Sequence, residues 1–114
     1  MDDIDAVTHG KFHISLPLWT IIDLSNGKPV LISTEHGTLL SLFTDVDLAK
    51  QFIQDRSPSP QAVSVEFKDH ATIKQTALET KLHKCTHVGI DLSTRSPLKA
   101  AIQPIDFFID SIPV

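Results

Sequence analysis

Three short apolar runs follow one another between Leu18 and Phe43, and each has the length of a β-strand. The first run, "LWTIIDL", ends just before Asn26 and Gly27, two residues that tolerate the positive φ angles of a type I′ hairpin turn. The second, "PVLIST", ends before "EHG", where Gly37 suits a left-handed turn position, and the third is "TLLSLF". Runs joined by such turns predict a three-stranded β-meander.

An amphipathic helix is predicted directly after the third strand. Thr44 is the predicted N-cap, and Asp47 stands three residues later, where the acidic member of a capping box lies near the positive end of the helix dipole. The prolines of "RSPSPQ" cannot continue this helix. The apolar positions predicted to face the core recur at helical spacing. They are Val46, Leu48, Ala49, Phe52 and Ile53.

The second half of the chain alternates strand patterns with helix patterns. "AVSVEF" predicts a strand, after which Asp69 is the predicted cap of a helix over "HATIKQTALETKLHK". "CTHVGIDL" alternates along its length and predicts a strand with one buried side. "LKAAIQ" predicts a last strand, and "PIDFFIDSI" a last helix with Pro104 in its first turn. The predicted core positions on these two helices are Ile73, Ala77, Leu78 and Leu82, then Ile105, Phe108, Ile109 and Ile112.

This order of elements predicts one α/β domain over residues 1–114, a mixed sheet with helices packed on it. Residues 1–11 are a candidate flexible lead. A chain of 114 residues is long enough to remove about two-thirds of its unfolded surface from water, so a core is expected without disulfides. The strands on either side of the second helix, if adjacent and parallel, are expected to form a right-handed crossover.

The composition argues against several classes of partner. Ten Lys and Arg against fourteen Asp and Glu give a net charge of −4, and the basic residues are scattered, so nucleic acid is not an expected partner. No run approaches the eighteen or so apolar residues of a membrane helix, and the acidic start does not resemble a signal peptide. Cys85 is the single cysteine, which favours a reducing compartment. We therefore expect a cytoplasmic protein.

The segment "HKCTH" carries the residue types that zinc prefers. His83, Cys85 and His87 at every second position would share one face of an extended strand and form a three-ligand site. Cys85 with His87 would alternatively form a nucleophile and its base. The simpler interpretation places His83 in the last turn of the preceding helix and Cys85 as an inert buried thiol. No glycine-rich phosphate loop or hydrolase motif accompanies the segment, so we expect neither a cofactor nor catalysis.

A polar loop follows the strand that contains Cys85. Asp91, Ser93, Thr94 and Arg95 lie where a strand leaves the sheet, a common position for ligands in open α/β sheets. Such a loop suits a small anion or a peptide carboxylate. The same residues before a proline are also ordinary turn formers.

The passage "GTLLSLFTDVDLAKQFI" resembles the N-terminal domain of SseB-type (enhanced serine sensitivity) proteins, in which a three-stranded opening leads to a Phe-Thr-Ser/Asp junction, here Phe43, Thr44 and Asp45. "KLHKCTHVGIDL" is similar to a later helix-to-strand passage of that family, although "DLSTRSP" departs from its usual loop. The resemblance covers about Leu18 to Ile112. It implies a small bacterial α/β scaffold and brings no catalytic residues.

The leading functional hypothesis is therefore a noncatalytic interaction or scaffold module that binds a protein partner or a second copy of itself. Its predicted contact regions are the edge strands "KFHISL" and "LKAAIQ". The alternative is a small-ligand-binding regulatory domain that uses the loop from Asp91 to Arg95. An enzyme or zinc site at Cys85 ranks third.

Overall fold

The structure, a computed structural model, describes residues 4–6, 16–35, 37–56, 60–92, 98–99 and 101–112. Over these residues the chain forms nine strands and three α-helices. In chain order they are β1 (Ile4–Ala6), β2 (Leu18–Asp23), β3 (Lys28–Pro29), β4 (Leu31–Thr34), β5 (Gly37–Phe43), α1 (Val46–Arg56), β6 (Ala62–Phe67), α2 (His70–Leu82), β7 (His87–Ile90), β8 (Leu98–Lys99), β9 (Ala101–Pro104) and α3 (Ile105–Ser111).

Seven of these strands form one mixed sheet, as the sequence predicts. β2 is antiparallel to both β5 and β6, β5 is parallel to β7, and β7 is antiparallel to β9. Because β5 and β6 both pair with Trp19 and Thr20, they flank β2 on opposite sides. β6 and β7 therefore run in the same direction with β2 and β5 between them, so the adjacency assumed for a simple crossover is not met. β1 and β8 form a separate parallel pair.

The helices cover both faces of the sheet. α2 and α3 enclose one buried cluster, which includes Leu40 and Leu42 of β5. α1 encloses the second, which includes Leu39 and Phe43. Successive residues of β5 thus point to opposite cores, as the pleat of a strand requires. In the second core Phe43 packs against Phe52 of α1 with ring centroids 5.7 Å apart.

The β-meander is confirmed, but its first turn differs from the predicted type. Asp23 pairs with Lys28, so four residues form the loop. Gly27 has φ +70°, whereas Asn26 is not in the left-handed region, and a type I′ turn needs both. The Asn26 side chain instead accepts the Lys28 N–H at 2.8 Å. The second run is broken at Val30, because β3 pairs with β2 and β4 pairs with β5.

The predicted cap of α1 is wrong by one residue. α1 begins at Val46, and Asp45 is the N-cap, because its carbonyl accepts the Ala49 N–H and its side chain accepts the Asp47 N–H at 2.7 Å. Asp47 remains in the first turn, near the positive end of the helix. Because Thr44 is not the N-cap, no capping box forms between Thr44 and Asp47. Leu48, predicted to be buried, is exposed, while Ala49 and Phe52 are buried.

The Asp69 cap of α2 is confirmed, and its carboxylate accepts the Thr72 N–H at 2.7 Å. The buried face of α2 is only partly as predicted. Ile73 and Ala77 are buried, but Leu78 and Leu82 are 45% and 83% exposed. The helix is rotated so that Thr80 is buried instead of these leucines. The four predicted core residues of the last helix are all buried.

Two predictions about the final strands need correction. Val88 and Gly89 of β7 are both buried, because β7 lies between β5 and β9 with a core on each side, so the strand does not have one buried side only. "LKAAIQ" is divided between β8 and β9, which belong to different sheets. Most of "KFHISL" lies outside the described residues. None of the described helices is long and apolar enough to cross a membrane.

Candidate functional site

The structure does not bring His83, Cys85 and His87 together as ligands. His83 is the C-cap of α2, and Lys84 has φ +70°, so the chain turns there and the three residues do not form one extended segment. Among the described residues, no group of three or more His, Cys, Asp or Glu side chains is arranged to hold a metal ion. His83 thus follows the simpler interpretation of the segment, the end of a helix.

Cys85 lies in the core rather than at an accessible site. Its side chain is 3% exposed, and Sγ donates to the His87 carbonyl at 3.2 Å. The His87 ring instead contacts the Thr86 hydroxyl through Nδ1 at 2.8 Å. Burial raises the pKa of the Cys85 thiol above its usual value, which suppresses the nucleophilic thiolate. The arrangement has the properties of a packed, neutral thiol.

Hydrogen bonds to Thr44 and Leu42 hold the side chain and backbone of Asp91 in place. Its carboxylate accepts the Thr44 backbone N–H and the Thr44 hydroxyl, each at 2.8 Å, and its own N–H donates to the Leu42 carbonyl at 2.8 Å. Asp91 adopts φ +53°, which short polar side chains tolerate. Ser93, Thr94 and Arg95 lie outside the described residues. A ligand role for this loop therefore stays a prediction.

A different feature, the edge of β6 that no described strand occupies, is the best-defined candidate site. β2 pairs with β6 along its full length, from Leu18 opposite Phe67 to Asp23 opposite Ala62. In the part of the chain that the structure describes, β2 is the only strand that pairs with β6. The sequence predicts the strand "AVSVEF" with the right bounds. Its edge position depends on strand order, for which the sequence carries no local signal.

The register shows which backbone groups of β6 face outward. The Leu24 N–H donates to the Gln61 carbonyl at 3.0 Å, one step beyond the last paired residues, so that position is a hydrogen-bonded pair. Hydrogen-bonded and non-hydrogen-bonded pairs alternate along an antiparallel ladder. Ala62, Ser64 and Glu66 therefore occupy non-hydrogen-bonded positions and direct their N–H and C=O groups away from β2.

The opposite side of β2 supports this assignment. Ile21 stands across from Ser64, and its carbonyl accepts the Val30 N–H at 2.8 Å on the side away from β6. A residue that bonds away from β6 is a non-hydrogen-bonded partner of β6, as the alternation requires. Three N–H and three C=O groups of β6 thus line the open edge.

A groove runs beside this edge on the α1 face of the sheet. Its volume is about 330 Å³, and it is formed where α1 packs against β6. The lining residues are Lys50, Ile53, Gln54, Ala62, Val63 and Ser64. Lys50 gives the groove a cation, while Ile53 and Ala62 give it an apolar wall. The groove has the form of a side-chain pocket next to a row of backbone donors and acceptors.

Two other regions of the surface define a site less well. β9 lies at the opposite edge of the sheet, but Pro104 ends it, and Ile102 and Gln103 are buried. A groove of about 320 Å³ lies between the β2–β3 turn and the end of α2, beside the exposed Leu82. Its lining mixes Pro29 and Leu82 with the charged residues Lys28 and Glu79.

No family model matches the chain, and no curated protein matches it either.

Proposed function

We propose that the protein is a noncatalytic interaction module that binds an extended segment of a polypeptide along the edge of β6 that no described strand occupies. The observation that carries this proposal is the row of outward N–H and C=O groups at Ala62, Ser64 and Glu66. An added strand satisfies such groups through main-chain hydrogen bonds, a recognised mode of peptide binding.

The groove beside β6 supplies the element of specificity. Side chains of an added strand alternate between the two faces of the sheet, so every second one lies on the α1 face beside Lys50 and Ile53. An acidic or apolar side chain at that position would find a partner there. On the other face, Val63 and Val65 are half-buried and provide an apolar surface. Backbone bonds give affinity, and these pockets select the sequence.

The noncatalytic part of the proposal is supported by the state of the candidate reactive groups. The Cys85 thiol is buried, hydrogen-bonded to a backbone carbonyl and has a raised pKa. The Asp91 carboxylate is occupied by Thr44. Both groups are used within the fold, which favours binding over chemistry.

The test is a proline at the edge. Ser64→Pro removes an N–H that faces outward, so it blocks strand addition while leaving the β2–β6 hydrogen bonds in place. Ser64→Thr is the matched control, because it keeps the N–H and suits a strand. Tagged wild-type, Ser64→Pro and Ser64→Thr proteins are used for capture from the native lysate, with quantitative mass spectrometry of the bound proteins.

We expect wild type and Ser64→Thr to enrich the same polypeptides, a second copy of the chain included, and Ser64→Pro to lose them. Circular dichroism and thermal unfolding of the proline variant check that it is folded. Equal enrichment by all three proteins would refute the β6 edge as the binding site, and so would the failure of all three to enrich any polypeptide.

A further inference from the structure

We infer that the polypeptide bound along β6 is the β6 strand of a second copy of the chain, paired antiparallel about a twofold axis at Ser64. This inference rests on the proposed function of the same edge. A symmetric dimer requires a surface that complements itself, because the same residues occupy both sides of the interface. Both the backbone register and the charges of β6 meet this requirement.

The backbone register selects one arrangement. With Ser64 opposite Ser64 of the second copy, Ala62 faces Glu66, and Glu66 faces Ala62. All three residues direct their backbone groups outward, so each pair exchanges two hydrogen bonds and every outward group is used. A shift by two residues in either direction leaves one outward residue of each copy unpaired. A shift that places Glu66 opposite Glu66 also sets like charges together.

The charges support the same register. The α1 face carries the side chains of Ala62, Ser64 and Glu66. They stand opposite Asp23, Ile21 and Trp19 of β2, so each pair shares a face, and Ile21 belongs to the core under α1. A twofold axis perpendicular to the sheet keeps that face on the same side in both copies. The exposed Glu66 carboxylate of one copy then lies next to Ala62 of the other.

Lys50 is the neighbour that this carboxylate meets. Lys50 lines the groove together with Ala62 and Ser64, and its side chain is exposed. The register therefore places Glu66 of each copy beside Lys50 of the other, and symmetry creates the contact twice. On the opposite face Val63 pairs with Val65 of the second copy, an apolar cross-strand contact between two half-buried side chains. The result is a continuous sheet through both copies.

Charge reversal in separate chains tests this arrangement. Glu66→Lys places two lysines together at each contact, and Lys50→Glu places two glutamates together. A one-to-one mixture of the two variants restores an opposite pair at both contacts of a mixed dimer. Sedimentation velocity of the full-length protein over a concentration series measures the dissociation constant of each sample.

We expect wild type to dimerise, each variant alone to dissociate at least about tenfold more readily, and the mixture to dimerise close to wild type. Restoration in the mixture also shows that both variants are folded. Monomeric wild type at every concentration would overturn the inference, as would a mixture no stronger than the variants alone.

Ser64→Pro separates this inference from the proposed function. If wild type is monomeric and captures other polypeptides that the proline variant loses, the second copy is the wrong partner and the edge is the right site. If Ser64→Pro dimerises as wild type does, the contact lies elsewhere and the inference fails at its first step.

Discussion

Asp91 accepts two hydrogen bonds from Thr44, one from the backbone N–H to Oδ1 and one from the hydroxyl to Oδ2, each at 2.8 Å. The two residues are 47 positions apart in the sequence. The contact ties the exit of β5 to the exit of β7, where the Asp91 N–H also bonds the Leu42 carbonyl. The Phe43–Thr44 junction is thus a corner held by a distant carboxylate.

The hydroxyl of Thr44 is expected to contribute measurably to stability. Thr44→Val removes one donor to Asp91 and keeps the backbone bond, so we expect a loss of about 1 kcal/mol in the free energy of unfolding. Thr44→Ser keeps the hydroxyl and serves as the control. Urea unfolding measures both variants. An equal loss in Thr44→Ser would show that the methyl group, not the hydrogen bond, matters.

Local features of the fold were predictable because their causes are local. The strand bounds at Ala62 and Phe67 follow from a short β-type run between a turn and a cap, and the Asp69 cap follows from one side chain and the next N–H groups. The turn at Gly27 was placed correctly for the same reason. The type of the turn is not predicted correctly, because the Asn26 side chain accepts a hydrogen bond that the dipeptide pattern does not reveal.

Non-local features were not predictable from the same patterns. The sequence predicts Thr44 as a cap, but its hydroxyl instead donates to Asp91, which follows another strand. Leu78 and Leu82 have helical spacing, yet the packing of α2 buries Thr80 instead. The edge position of β6 results from the pairing of β2 with strands on both sides. These outcomes depend on strand order or on how a helix packs against the sheet, and a single sequence encodes neither locally.

Gly37 and Gly27 are expected to differ in their tolerance of alanine, although both have positive φ. A Cβ at Gly27 meets nothing within 4 Å, so Gly27→Ala costs only backbone strain, about 1–2 kcal/mol. A Cβ at Gly37 overlaps the Thr86 hydroxyl, so we expect Gly37→Ala to cost about 3 kcal/mol or more. Thermal and urea unfolding compare the two. Equal losses in the free energy of unfolding would show that the Thr86 side chain moves aside at no energetic cost.

The exposure of Leu82 predicts a contrast with Ile73 on the same helix. Leu82→Ala is expected to change the free energy of unfolding by less than about 0.5 kcal/mol, because the side chain is 83% exposed. Ile73→Ala removes a side chain that is 1% exposed and should cost about 2–5 kcal/mol. Denaturant unfolding measures both. A large loss at Leu82 would place that leucine in a core or an interface.

The Cys85 thiol is expected to react slowly in the folded protein. It is buried, and its raised pKa keeps it protonated where a free thiol begins to ionise. Labelling with a chromogenic disulfide reagent at pH 8 should be slow and should accelerate to the rate of a free thiol in urea. Rapid stoichiometric labelling of the native protein would contradict this and revive a reactive role.

Asp69 is expected to make stability depend on pH in the acid range. Hydrogen bonds from the Thr72 hydroxyl and backbone N–H hold the pKa of Asp69 below its usual value, and His70 adds a smaller effect. The ionised carboxylate therefore stabilises the fold above the unfolded pKa of about 3.9, and this contribution is lost as the pH falls through the lower folded pKa. Asp69→Asn caps the helix without titrating.

As the pH falls below about 4, the urea midpoint of wild type should therefore decrease relative to that of Asp69→Asn. Thr72→Val removes the hydroxyl that lowers the pKa most, so the same comparison in a Thr72→Val background should show a smaller shift. Urea titrations from about pH 2.5 to 7 provide the measurement. A midpoint difference that is constant over this range would contradict the prediction. It would show that the Asp69 carboxyl titrates alike in the folded and unfolded chain, despite its contact with Thr72.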